Sequence, residues 1–172
     1  RDPKPSQMAF SQIFDMNSLA APDYDDYFAR LKTLGPDKHF FPTLPVEMSR
    51  GCWWQRAQPS GVARGCAFCT LNLQWEGYRH KSAQKTADEI AALTSRYQTL
   101  STALMDKVMP AAAGRELFDI LGRRQVDLRL LCDIRAITTG DSLRAMQQAG
   151  VAEVQIRIEA LSPRLLLKRN TG

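Results

Sequence analysis

Four short apolar runs, at residues 44–49, 99–105, 126–137 and 151–159, have the length of β-strands, and the segments between them repeat their apolar positions at helical spacing. Ser82 stands where a helix N-cap belongs, and Ala87, Ile90, Leu93, Thr94 and Tyr97 then share one helical face. After Met109-Pro110 a second helix carries Leu117, Phe118 and Leu121. Thr139 caps a third, with Leu143 and Met146 expected inward and Gly150 as its stop. Ser162-Pro163 opens a fourth, by the preference for proline in a first turn. Strands alternating with helices predict βα units and a parallel sheet.

The last two strands add a constraint. Leu128, Leu130, Cys132 and Ile134 alternate with Asp127, Arg129, Leu131, Asp133 and Arg135. The fourth run does the same, with Ala152, Val154, Ile156 and Ile158 against Glu153, Gln155, Arg157 and Glu159. Parallel strands covered by helices on both faces read instead as near-continuous apolar runs. The pattern predicts a curved sheet with helices packed outside and a polar, ligand-holding concavity inside. An antiparallel sheet with one wet face is the alternative, and the intervening helices disfavour it.

Residues 1–43 are rich in proline, with one helical segment around 24–31, and read as a lead-in or linker ahead of the unit at 44–172. The chain is 44% hydrophobic and 24% charged, enough apolar material for a core and too much for a wholly disordered chain. No apolar run is long enough to span a bilayer and no signal-peptide pattern opens the sequence, so a cytoplasmic location is expected and a membrane partner is not. The net charge of +5 is dispersed among acids, which reads as a solvated surface and leaves nucleic acid an unexpected partner.

The chemistry concentrates between residues 50 and 81, a long stretch without strong periodicity. Cys52, Cys66 and Cys69 lie there, the last two spaced C-x2-C, while Cys132 stands apart on an apolar strand face. Structural zinc takes four ligands, and here a single close pair would need His80 or Cys132 to help complete it. An electron-transfer 4Fe-4S cluster uses four cysteines. Three cysteines in one loop fit a 4Fe-4S cluster with one iron left for an outside ligand. Zinc and incidental or redox-active thiols stay open as alternatives, and Trp53 and Trp54 serve equally as core or as a shield over a cluster.

Ser49-Arg-Gly-Cys-Trp-Trp, then Cys66-Ala-Phe-Cys-Thr-Leu-Asn-Leu-Gln-Trp-Glu-Gly-Tyr-Arg-His-Lys-Ser82, and the strand ending Ile158-Glu159 resemble the radical S-adenosylmethionine enzymes. They look most like the cobalamin-linked branch that matures ribosomally made peptides. The resemblance implies a partial (β/α) barrel of the radical SAM type, about four βα units long. It implies that Cys52, Cys66 and Cys69 hold a 4Fe-4S cluster, with Phe68 as the aromatic residue before the last cysteine. It implies that Asp133, Arg135 and Glu159 lie near S-adenosylmethionine, which is cleaved to a 5'-deoxyadenosyl radical. A peptide substrate, with C-methylation as one outcome, and an electron donor are the implied partners.

The chain departs from that family in several places. Thirteen residues separate Cys52 from Cys66 where the family has three or seven, and the surplus holds Gln58-Pro-Ser-Gly61, read as a looped-out turn. Arg157 and Ala160 replace the glycine and serine that flank the fourth-strand acid, and Met105-Asp-Lys-Val-Met109 is no clear match to a Gly-Gly-Glu segment. The cobalamin motif D-x-H-x-x-G is absent, so cobalamin is expected only in a longer protein, of which this chain would be the first part of the barrel. The readings set against a radical enzyme are a non-catalytic zinc-stabilised binding module and a degenerate remnant without cofactor.

Overall fold

Three helices pack on one face of a four-stranded parallel sheet in the computed structural model, which describes residues 11–35, 37, 41–54, 65–69 and 77–169. In chain order the elements are α1 (Asp25–Leu31), β1 (Leu44–Val46), β2 (Ser49–Arg50), β3 (Arg79–His80), α2 (Ala83–Tyr97), β4 (Ser101–Leu104), α3 (Ala111–Arg124), β5 (Arg129–Arg135), α4 (Gly140–Gln148), β6 (Val151–Arg157) and α5 (Pro163–Arg169). The sheet order is β1-β4-β5-β6, all parallel, with Val46 opposite Leu104, Leu104 opposite Cys132 and Cys132 opposite Val154. β2 and β3 form a separate antiparallel pair that closes the neck of the cysteine loop.

The period-two pattern decides which face is covered. Leu128, Leu130, Cys132 and Ile134 are buried, as are Leu44 and Val46 of β1 and Thr102 and Leu104 of β4. They meet Ala87, Ile90 and Leu93 of α2, Leu117, Phe118 and Leu121 of α3, and Ala145 and Met146 of α4 in one continuous core. Each fully buried leucine there contributes on the order of 2 kcal/mol. Arg129, Leu131, Asp133 and Arg135 line the opposite face beside Glu153, Gln155 and Arg157, which is the polar face expected from the alternation. The parallel pairing rules out the antiparallel alternative.

Local signals hold at the helix ends. Ser82 Oγ accepts from the Lys85 amide at 3.1 Å and Thr139 Oγ1 from the Ser142 amide at 3.3 Å, so both caps form. Gly150 takes φ +89°, and a side chain there would put a Cβ 2.3 Å from the Leu128 carbonyl oxygen. Part of the lead-in lies on this unit: Met16 is buried, Phe28 stacks on Tyr97 at 4.6 Å, and the Ser82 amide donates to Asn17 Oδ1. Among the described residues no helix is long and apolar enough to cross a membrane.

Three expectations change. The run at 44–49 is not one strand: it breaks after Val46, because residues 47–48 turn the chain and Ser49 and Arg50 pair with His80 and Arg79 instead. Leu143 faces solvent at 42% exposure, since the inward stripe of α4 runs through Ala145, Met146 and Ala149. The apolar face of β6 is uncovered, with Val154 at 38% and Ile156 at 51% exposure, because α4 packs chiefly on α3 and α5 is tied to the cysteine loop.

Candidate cysteine site at the strand C-termini

Parallel α/β sheets gather their ligands at the C-terminal ends of the strands, where loops rather than backbone ladders face the open rim. The cysteine loop leaves β1 at this rim. A C-x2-C turn forms, with the Cys69 amide donating to the Cys66 carbonyl at 3.0 Å. All four cysteines are thiols, the three in the loop half-buried. The Cys66 thiol is pushed up, first by burial and then by the negative charges that Cys69, Cys52 and Glu159 would carry beside it. Cys52 and Glu159 thus lie within electrostatic range of Cys66. The turn expected at residues 58–61 lies outside the described residues.

The remaining expected residues surround this group in different ways. Phe68 is exposed at 55%, and the Arg169 guanidinium lies over its ring at 5.7 Å. Arg169 also accepts from the Ala67 amide at 2.9 Å through its carbonyl and donates to the Glu159 carbonyl at 3.0 Å, so α5 is tied to the loop. Arg135 sits over the Trp53 ring at 5.2 Å, a cation–π contact between β5 and the loop. Asp133 is engaged by Arg157 across β5 and β6, with Nε donating to Oδ2 at 2.9 Å. Cys132 is buried among the core residues, and burial pushes its thiol up to about 11. It does not join the loop cysteines. His80, the other candidate for completing a zinc site, is exposed and uses Nδ1 on the Lys81 carbonyl at 2.9 Å.

A cavity of about 690 Å³ opens beside Trp53 and Tyr78, between the first turns of α3 and α4 and the ends of β4 and β5. Asp133, Arg135 and Arg157 supply its charged wall, and Val108, Met109 and Ile134 much of its apolar one. That volume suits a small molecule with both apolar and charged parts.

Sequence reasoning missed the residues that hold the loop's neck. Asp106, two residues past β4, is 2% exposed and has no cationic partner among the described residues; it accepts from the Ser49 amide and Ser49 Oγ, both at 2.5 Å, and from the Met48 amide at 3.2 Å. Burial pushes its carboxyl above the ordinary range, and these hydrogen bonds pull the other way. Tyr78, at the far end of the loop, donates to the Val108 carbonyl at 2.6 Å, and burial pushes its phenol up to about 12. The available signal was an acid placed between two apolar methionine-bearing segments, where an acid is rarely buried without donors around it.

The described residues contain no group of three His, Cys, Asp or Glu close enough to hold one metal ion. A tetrahedral zinc site needs such convergence. A cluster differs, since its cysteines bind separate irons and their sulfurs stand farther apart than the ligands of a single ion. Three half-buried thiols in one loop, two of them in a single turn, are compatible with that second donor set.

No protein-family model matches this sequence, and no curated protein matches it either. Among solved structures, the apo form of the cobalamin-dependent S-adenosylmethionine radical enzyme OxsB is similar, with a TM-score of 0.53 at 17% identity. The match covers 77% of this chain and 20% of that one, so this chain spans about a fifth of the enzyme's length. At this identity the likeness concerns the fold: the described residues form a partial β/α sheet of the kind found in that radical enzyme.

Proposed function

We propose that the chain is a radical S-adenosylmethionine enzyme, or a part of one, in which Cys52, Cys66 and Cys69 hold a 4Fe-4S cluster. The observation that carries this reading is the Cys66–Cys69 turn, with the Cys69 amide donating to the Cys66 carbonyl, in the same loop as Cys52. The fold shared with a radical enzyme supports it. When bound, such a cluster supplies the electron that cleaves the C–S bond of S-adenosylmethionine to give a 5'-deoxyadenosyl radical. This chain's own residues do the binding and the shielding. The three thiols would give up their protons to become ligands. Arg135 and the Asp133–Arg157 pair offer complementary charge to the amino and carboxylate groups of S-adenosylmethionine, and Trp53 closes the cavity's edge. In this reading the substrate is a ribosomally made peptide, C-methylation is one outcome, and a separate protein or small reductant donates the electron.

Anaerobic reconstitution with ferrous iron and sulfide tests the proposal. The expected result is about four irons and four sulfides per chain, with an electron paramagnetic resonance signal that changes on adding S-adenosylmethionine. Cys52→Ala, Cys66→Ala and Cys69→Ala should each lose iron. Stoichiometric zinc without iron, or full iron loading of Cys52→Ala, would overturn it.

A further inference from the structure

Asp106 is a buried carboxylate whose three donors all come from the two residues at which the cysteine loop begins. A carboxylate without a counter-ion is costly to bury, and it is tolerated where several N–H and O–H groups converge on it. The geometry around it joins three segments. Ser49 Oγ reaches both Asp106 Oδ1 and the Val108 carbonyl, the latter at 3.0 Å. Tyr78, at the loop's far end, donates to that same Val108 carbonyl. The Lys81 amide donates to the Met48 carbonyl at 2.7 Å, and Ser49 faces His80 across the β2–β3 pair. Both ends of the loop are therefore fastened to the four residues that follow β4.

We infer that Asp106 is a positioning residue for Cys52: by fixing the backbone of Met48 and Ser49, it sets the direction in which the chain leaves toward Cys52 and so its distance from Cys66 and Cys69. Cys52 lies three residues beyond Ser49, while Cys66 and Cys69 are set by their own turn and by the contact of Ala67 with Arg169. The clamp thus acts on one thiol and not on the other two. The use of this for cluster binding rests on the function proposed above. The thiol geometry itself does not, and the experiment reads the geometry in the apo protein.

The test is equilibration of the reduced apo chain in a glutathione redox buffer, with the Cys52–Cys66 and Cys66–Cys69 disulfides quantified by mass spectrometry of the digest. Their ratio reports the effective concentration of Cys52 at Cys66 against an internal standard. Asp106→Ala should lower the Cys52–Cys66 to Cys66–Cys69 ratio by about tenfold, the scale of one lost hydrogen bond to a charged group. Asp106→Asn keeps an acceptor at the Oδ1 position and should return the ratio to within about threefold of wild type. Leu121→Ala, which hollows the core at the opposite end of the sheet, should leave the ratio unchanged while lowering stability. An unchanged ratio in Asp106→Ala, or an equal fall in Leu121→Ala, would overturn the inference and reduce Asp106 to a general stabiliser. If Asp106→Ala does not fold, Ser49→Ala replaces it, with the same ratio expected to fall several-fold and an unchanged ratio refuting. A fall in the ratio together with absent iron loading would leave the positioning role standing and remove the proposed function.

Discussion

Replacing Lys81 with methionine removes one half of an ion pair that lies inside the protein. Lys81 Nζ donates to Glu89 Oε2 at 2.6 Å, and the two side chains are 3% and 1% exposed. Glu89 Oε1 is buried with no hydrogen-bond partner among the described residues, so Lys81 is the carboxylate's one compensating contact there. Removing one member of a buried pair costs about 3–5 kcal/mol, because the remaining charge stays in a poorly polarisable surrounding. Native stability for a chain of this size is roughly 5–15 kcal/mol, so this single change takes about a fifth of it or more. Glu89→Leu should cost less than Lys81→Met, since the lysine stem sits just before α2 and can re-aim its ammonium toward water, while Glu89 is fixed within the helix. The double variant Lys81→Met with Glu89→Leu removes both charges and should recover most of the loss, giving a coupling of about 3 kcal/mol or more. Urea titrations of the four apo proteins, followed by circular dichroism and tryptophan fluorescence, measure each corner of the cycle. A loss below about 1 kcal/mol for Lys81→Met, the scale of an exposed pair, would refute the reasoning.

Two further outcomes follow from other sites. Gly150→Ala forces a left-handed backbone and a Cβ 2.3 Å from the Leu128 carbonyl oxygen, so it should cost more than about 2 kcal/mol in the same titration; a loss of a few tenths would mean that the α4–β6 connection relaxes freely. Cys132 should make stability fall with rising pH. Its folded thiol titrates at about 11, above the roughly 8.5 of an unfolded thiol. The unfolded chain therefore loses that proton first, and stability declines across this window by at most about 1.4 kcal/mol per pH unit. Under reducing conditions the difference in stability between wild type and Cys132→Ala should shrink as pH rises from 8 to 11, and parallel curves would refute the assignment.

Strand and helix existence followed from local physics. A β-strand exposes alternate residues to opposite faces, so Leu128, Leu130, Cys132 and Ile134 had to share a side, and Cys132 was readable as a core thiol and not as a ligand. Ser82, Thr139 and Gly150 were legible because caps and stops depend on neighbours within four residues. The break at residues 47–48 was not legible. Nothing in Leu44-Pro-Val-Glu-Met-Ser49 says that Asp106, more than fifty residues later, will collect the Met48 and Ser49 amides and turn the chain.

The candidate site divides along the same line. The sequence by itself determined the parallel α/β class and the one-sided covering of β5, because these depend on side-chain period and residue type. Only the tertiary structure decided that Ala67 of the cysteine loop is tied to Arg169 of α5, that Arg169 and Arg135 hold the loop's aromatic residues, and that Asp133 is taken by Arg157. Those contacts join residues tens of positions apart, and their geometry is set by how β5, β6 and α5 pack around a loop whose own sequence carries no period.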